Sequence, residues 1–240
     1  MTASRAPKSA PNVELTGPVE DYLKAIYELE RSGEPAETNA IARLLGIAPA
    51  SVSGMIRRLA RLGLIRHERY HGARLTAAGR RAALKTLRRH RVIEAYLTSA
   101  LGYSWDRVHD EAERLEHAAS DELIDRMAEA IGEPATDPHG APIPSRDGTL
   151  EERSVVKLSD LMPGDVARVE RVSDDDAERL RYLAELGIVP GASIQVIARE
   201  PFEGPIALRL KDTSRTIGTG LASQILVAPG ARATRSRSAR

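Results

Sequence analysis

"IARLLGIAPASVSGMIRRLARLGLI", residues 41–65, decides the fold. Two helical segments meet there at a tight "GIAPAS" turn. Ala42 is small enough for close helix contact, Gly46 allows the turn, and Val52 packs the second helix on the first. "LIRHERYHGARLT" follows and reads as two short strands around an "HG" turn. Helix, tight turn, helix and two-stranded wing is the order of a winged helix-turn-helix. Upstream, "VEDYLKAIYELERSG" carries Tyr22, Leu23, Ile26, Tyr27 and Leu29 at helical spacing and stops at Gly33. The exposed start of the second helix carries Ser51, Ser53 and Gly54, small residues that can approach base edges and phosphates closely. Thr38, Asn39, Ala48, Pro49 and Ala50 complete the expected DNA-facing set. Arg57, Arg58 and Arg61, with Arg66, Arg69 and Arg74 of the wing, are natural phosphate contacts, and Arg43 is placed against backbone. Few of these side chains can read bases bidentately, so sequence choice is expected to lean on shape and dimer spacing.

The net charge of +1 conceals an asymmetry. Residues 37–91 hold 13 Lys or Arg against two acids, whereas 106–152 hold 14 acids against four Arg. A basic part followed by an acidic one suggests a polyanion partner and a cation partner on one chain. The acidic part contains "RVHDEAERLEH", residues 107–117. On a helix, His109, Glu113, Glu116 and His117 fall within one arc of about 100°. Val108, Ala112, Leu115 and Ala119 form an apolar arc beside it. In "RRHRVIEAYL", His90 and Glu94 are four apart and share a face. Asp21 sits in "VEDYL". A lone His–Glu pair is more often a surface salt bridge. Two such sets beside a DNA-binding module offer nitrogen and oxygen ligands for two metal ions.

The rest of the chain fits around these parts. Ala77 to Gly102 is helical and basic, and "SDELIDRMAEAIG" is a helix with Ser120 as N-cap. "EPATDPHGAPIPSRDG" is irregular. Beyond residue 154 come short alternating strands, with Pro-Gly pairs at 163–164 and 190–191 that fit type II turns. One helix, "SDDDAERLRYLAELG", interrupts them, with an N-cap at Ser173 or Asp174 and Gly187 as C-cap. Together they suggest a small β-barrel. The expected fold is mainly α with a small all-β C-terminal domain. Its parts are a disordered arm (1–16), the winged helix-turn-helix (17–77), a helical metal-binding and dimerisation domain (78–146), a linker (147–154), the barrel (155–229) and a disordered basic tail (230–240). His67, His71 and His139 read as wing and turn residues, not ligands. No cysteine is present, so disulfides and thiolate sites are excluded. No run of 18 apolar residues and no secretory signal is seen, so a cytoplasmic protein without membrane contact is expected. A helical di-metal enzyme would repeat Glu-x-x-His on two helices. No second such set appears and no nucleophile–base pair stands out, so no catalytic residue and no organic substrate are assigned.

Long, correctly ordered segments carry a resemblance over residues 18–228: "VEDYLKAIYELE", the helix-turn-helix, "RRHRVIEAYL", "VHDEAERLEHAASDEL" and "DPHGAPIP". They resemble the diphtheria toxin repressor family of metal-dependent transcription regulators, which includes iron-dependent and manganese transport regulators. The resemblance implies a dimer on palindromic operator DNA and a Src-homology-3-like C-terminal barrel. It implies a primary metal site of Asp21, Glu113, Glu116 and His117. It also implies an ancillary site of His90, Glu94 and His109, with acceptors from the barrel. For those acceptors the match is weaker: Asp176 aligns at the first position, and the second falls near Arg179, with Glu178 as a substitute. Iron-type members have Met and Cys where this chain has Asp21 and Glu113. Hard oxygen ligands favour Mn(II) over Fe(II), with Zn, Co, Ni and Cd expected to bind in vitro. Lys24 stands where a manganese regulator with paired metals has Glu, which favours two separate sites. A winged-helix regulator of a non-metal ligand is the remaining alternative.

Overall fold

The computed structural model describes residues 15–68, 72–151 and 153–230, and at 67 and 68 the backbone alone. Expectations for 1–14, 69–71 and 231–240, with Arg69, His71 and the His67 side chain, lie outside the described residues. The chain divides into two compact units, Met1–Ala83 and Leu84–Arg240.

In the first unit, α1 (Gly17–Ser32) begins with Pro18 in its first turn and ends where Gly33, at φ +81°, caps the carbonyls of Leu29 and Glu30. α2 (Thr38–Leu45) and α3 (Pro49–Arg61) follow, with an angle of 110° between them. That lies in the usual helix-turn-helix range. Gly46, at φ +64°, makes the turn. Ile41, Ala42, Val52, Ile56 and Leu59 are buried, which leaves the polar start of α3 in solvent. The wing is β1 (Ile65–Glu68) against β2 (Gly72–Leu75), in antiparallel register from Ile65↔Leu75 to Glu68↔Gly72. Its root is fixed by an Ala36–Ala73 bridge and by Glu30, whose carboxylate accepts from Leu75 N at 2.7 Å and pairs with Arg80 at 2.8 Å.

In the second unit, α4 (Ala77–Leu101) from residue 84 onward packs with α5 (Val108–Leu115) and α6 (Asp121–Ala130). Their shared core is Val92, Ile93, Leu97, Val108, Ala112, Ile124 and Ala128. Ser120 caps α6 by accepting from Leu123 N at 3.2 Å, as its position predicts. Six antiparallel strands then form one sheet: β3 (Val156–Lys157), β4 (Val166–Val172), β5 (Ser193–Arg199), β6 (Ile206–Leu210), β7 (Thr213–Ile217) and β8 (Ile225–Pro229), ordered β3-β8-β4-β5-β6-β7. Bulges between Val169 and Arg171 and between Val196 and Ala198 bend it around one apolar core. Gly164 and Gly191 adopt φ near +92° in the two Pro-Gly turns.

Two elements differ from expectation. α8 (Thr219–Ala222) is a single turn too short to show periodicity. α7 (Ala177–Leu186) starts later than its acidic leader suggested. Its N-cap is Asp176, whose carboxylate accepts from Glu178 N and Arg179 N at 2.9 and 3.0 Å. Ser173 and Asp174 lie before the helix.

Gly79 carries a testable consequence. It lies in the first turn of α4, where Thr76 caps it by accepting from Gly79 N at 3.1 Å. In a helix, Gly→Ala usually stabilises by up to about 1 kcal/mol. Here an added Cβ would sit 1.9 Å from the Leu64 carbonyl oxygen. Gly79→Ala should therefore destabilise, by about 1–3 kcal/mol, as urea unfolding would measure. A stabilised variant would refute the packing described.

Candidate functional site

Four residues advance a helix by about 400°, so α4 presents His90 and Glu94 nearly in line. Both are buried, at 4% and 0% exposure. α5 does the same with His109 and Glu113, and Glu116 and His117 follow at its C-terminal end. His90 stands between two carboxylates, with Nδ1 2.6 Å from Glu116 Oε2 and Nε2 3.1 Å from Glu94 Oε1. His109 Nδ1 lies 3.3 Å from the same Glu94 oxygen. Glu113 Oε1 is 3.7 Å from His90 Nδ1, and His117 Nε2 is 3.5 Å from Glu116 Oε1. His90, Glu94 and His109 are thus together, while Glu113 and Glu116 meet at His90 and His117 stands beside Glu116. The clean division between these sets does not hold, because His90 touches both. Asp21 lies half-buried on α1 of the first unit.

The barrel's contribution differs from the sequence-based assignment. Asp176 is engaged as a helix cap, and Glu178 is exposed on the same helix. Asp174 is the acid beside the cluster, its Oδ2 3.7 Å from His109 Nδ1 and 3.9 Å from His139 Nδ1. Three consecutive Asp at 174–176 gave periodicity no means of choosing. The cap and the acid facing the cluster exchange places relative to expectation.

His139 is the second correction. It lies in a turn, as expected, but it is fully buried. Its Nε2 is 2.7 Å from the Trp105 carbonyl. A carbonyl only accepts, so Nε2–H donates and Nδ1 is left facing the cluster. Nδ1 has no hydrogen-bond partner among the described residues and lies 3.7 Å from Glu94 Oε1. Asp137 opens the same turn. Its Oδ1 accepts from His139 N and Ala141 N, at 2.8 and 2.9 Å, in an Asx-type closure. Its Oδ2 is buried without a hydrogen-bond partner among the described residues, with Arg91 Nε 3.7 Å away. The available signal was "DPHG": an Asx-turn residue two positions before a histidine, in a stretch too irregular for helix or strand periodicity.

These positions set unusual protonation. Burial opposes ionisation of Glu94, yet the charge of His90 and hydrogen bonds from imidazoles hold it well below the usual carboxylate range. Burial, and then the charge of Glu94, pushes Asp137 up to about 7. Burial opposes charge on His139, but Glu94, Asp174 and Asp137 outweigh it and raise it to about 9. His109 is raised for similar reasons, with burial again opposed by Glu94 and Asp174.

Ligand atoms from three sets lie within 4.8 Å of one another: His90, Glu94, His109 and Asp174; His90, Glu113 and Glu116; and Glu94, Asp137 and His139. Among the described residues, buried Glu94 Oε2, Asp137 Oδ2 and His139 Nδ1 all lack a hydrogen-bond partner. Buried polar atoms normally find one. Two carboxylate oxygens and an imidazole nitrogen, with no sulfur, fit a hard or borderline divalent cation.

The first unit carries the other expected surface. Ala48 is the N-cap of α3 and Pro49 its first residue. Asn39, Ala48, Pro49, Ala50, Ser51, Ser53, Gly54, Arg57, Arg58, Arg66 and Arg74 are exposed, whereas Thr38 is half-buried.

Comparisons with known proteins agree with both parts. Residues 14–73 match the family described as iron dependent repressor, N-terminal DNA binding domain. Residues 76–145 match iron dependent repressor, metal binding and dimerisation domain, and 156–229 match the FeoA domain. The diphtheria toxin repressor of Corynebacterium jeikeium is 31% identical over 210 residues, covering 78% of this chain and 88% of that protein. The iron-dependent repressor IdeR of Mycobacterium tuberculosis is 32% identical over 195 residues, covering 76% and 85%. Among solved structures, a manganese-dependent transcriptional repressor in complex with manganese is 39% identical with a TM-score of 0.84, covering 88% of this chain and all of that one. IdeR of T. acidophilum is 31% identical with a TM-score of 0.75, covering 93% and 100%. A DNA-binding module of the expected form, a buried His–carboxylate cluster and these matches together place the chain in the diphtheria toxin repressor family of metal-dependent transcriptional repressors.

Proposed function

We propose that this chain is a Mn(II)-responsive repressor of metal-uptake genes that binds palindromic operator DNA as a homodimer. The observation that carries the metal reading is the convergence of Glu94, Asp137 and His139, each with a buried side-chain atom that lacks a hydrogen-bond partner among the described residues, in a sulfur-free cluster. One set of ligands is Glu113, Glu116 and His117, joined by Asp21 on the resemblance of "VEDYL". A second is Glu94, His109, His139 and Asp174, with Asp137 beside it. His90 touches both sets. Fe(II) is the second reading, favoured by the matches described as iron dependent repressor.

When bound, a divalent cation supplies positive charge that these carboxylates otherwise draw from protons and imidazoles. Glu116 and His90 hold each other in place at 2.6 Å, so two donors are oriented in advance. The Trp105 carbonyl fixes the His139 tautomer, as outer partners of ligand histidines commonly do. Metal control of DNA binding then requires greater affinity for the DNA-competent population than for the other. The exposed residues at the start of α3 approach the bases, while Arg57, Arg58, Arg66 and Arg74 neutralise phosphates.

Four outcomes test this reading. Chelated protein should lose operator retention and regain it with Mn(II). Glu116→Ala should lower Mn(II) affinity at least about tenfold, measured by calorimetry. Equal rescue by anaerobic Fe(II) would remove the manganese preference, and retention without any metal would remove the switch.

Arg58→Ala should weaken binding to all DNA sequences alike. The slope of log affinity against log salt should fall by about 1, as fluorescence anisotropy would measure. An unchanged slope would take Arg58 off the phosphate backbone.

The fourth outcome concerns pH. His139 holds its proton to about pH 9 when folded and to about 6.5 when unfolded. Its stabilising contribution is therefore complete below about 6.5 and lost as pH rises through 9. Asp137, raised from 3.8 to about 7, loses its contribution as pH rises from about 4 to 7, so most of that loss comes before this range. Metal-free protein should melt at progressively lower temperature from pH 6.5 to 9. Saturating Mn(II) should flatten that decline, because metal binding displaces these protons. A metal-free melting temperature that rises over this range would contradict the assignment.

A further inference from the structure

We propose that Gly140, within the Asp137–Gly140 turn, is a positioning residue that seats the C-terminal barrel on the helical part of the second unit and so delivers Asp174 to the His139 pocket. The proposal rests on the metal-site reading above. It goes beyond that reading by assigning a role to a residue that has no side chain and cannot ligate.

The turn grips the barrel from two sides. The His139 carbonyl accepts from Val172 N in β4 at 3.0 Å. One residue later, Gly140 adopts φ +89°, and a Cβ built there would lie 1.8 Å from the Glu170 carbonyl oxygen. Only glycine permits both the conformation and the approach. Glu170 sits at the β4 bulge, where the register shifts between Val169 and Arg171. Bulges re-aim a strand locally, and this one turns a backbone carbonyl toward the glycine. Trp105 stacks on the His139 ring at 5.8 Å and packs against the barrel core. Its neighbour Asp106 accepts from Arg181 of α7 at 3.0 Å.

Asp174 follows β4 by two residues. Its distances to His109 and His139 are set by where β4 ends. Backbone contacts at residues 139–140 and 170–172 fix that end. The barrel is thus held by contacts that need no cation, and the acid is in place before one arrives. A barrel tethered only through residues 147–154 would show none of these contacts.

The test uses the full chain with Gly140→Ala and Gly140→Asn. Asn tolerates positive φ better than Ala, so it separates backbone strain from collision with Glu170. In metal-free protein, both should speed exchange of the Val172 amide at least tenfold and shift emission of Trp105, the only tryptophan. In Mn(II) titrations, each should lose as much second-site affinity as Asp174→Ala, and neither should lose more in an Asp174→Ala background. Should both glycine variants fail to fold, Arg181→Ala loosens the same seat from the surface. It should lower affinity in the same direction, again with no effect when Asp174 is absent. Wild-type Val172 protection and wild-type affinity in the variants would overturn the proposal. A full additive loss in the Asp174→Ala background would also overturn it, since that marks a merely structural role. Val172 exchange and Trp105 emission need no metal. Wild-type protein that binds no Mn(II) but shows the expected exchange would therefore overturn the site reading and leave the seating intact.

Discussion

Glu94 has no exposure to water. An unpaired carboxylate in such a place costs several kcal/mol. The second unit meets that cost with imidazoles from three separate parts of the chain: His90 on α4, His109 on α5 and His139 in the turn, at 3.1, 3.3 and 3.7 Å. Each ring then needs a partner of its own. His90 takes Glu116, His139 takes the Trp105 carbonyl, and His109 lies near Asp174. One buried acid therefore constrains the mutual placement of two helices, a turn and the end of a barrel strand. The arrangement that compensates Glu94 also gathers more negative groups than uncharged rings can balance. The balance is completed by protons or by a cation, and a cluster that can exchange one for the other is a sensor.

How far the sequence could be read depended on regularity. The winged helix-turn-helix and the helical ligands were legible because 3.6-residue periodicity places His90 with Glu94 and His109 with Glu113 wherever the helix lies. The glycines at 33, 46 and 187 were legible because all take positive φ at helix ends. The pairing of His90 with Glu116 was not, since it depends on how two helices pack. Asp137 and His139 were not, because their role comes from an Asx turn and burial, neither of which leaves a period. Among Asp174, Asp175 and Asp176 composition alone could not choose. The choice follows from which residue first meets free amides: Asp176 takes those of Glu178 and Arg179, which leaves Asp174 unused by the helix.

The charge asymmetry also takes physical form. The basic excess falls mostly on the exposed arginines of α3 and the wing, and on α4, where several are paired: Arg80 with Glu30, Arg88 with Asp125, and Arg89 with Asp121. The acidic excess is therefore only partly available for cations. Asp121 and Asp125 of α6 are consumed by α4 arginines, and Asp106 by Arg181. The acids that remain for a metal are those aimed inward: Glu94, Glu116, Asp137 and Asp174, with Glu113 at the edge. Counting charges located the right region, and burial separates structural acids from candidate ligands within it.

The contrast between Glu113 and Glu116 bears on which cation is favoured. Glu116 is fully buried and held by His90, so its oxygens are fixed in place. Glu113 keeps 40% of its side-chain surface in water. A partly hydrated carboxylate can shift, bind through one oxygen or two, and leave room for water to complete a larger coordination shell. Oxygen-rich octahedral coordination suits Mn(II) and other hard ions. A thiolate at that edge would instead give a soft ligand of fixed length and a preference for lower coordination number. Under the proposed Mn(II) reading, a rigid inner pair with an adjustable outer oxygen would be the geometric source of a bias toward a hard, six-coordinate ion. Affinity could not produce that bias, because the general order of divalent affinities places Mn(II) last.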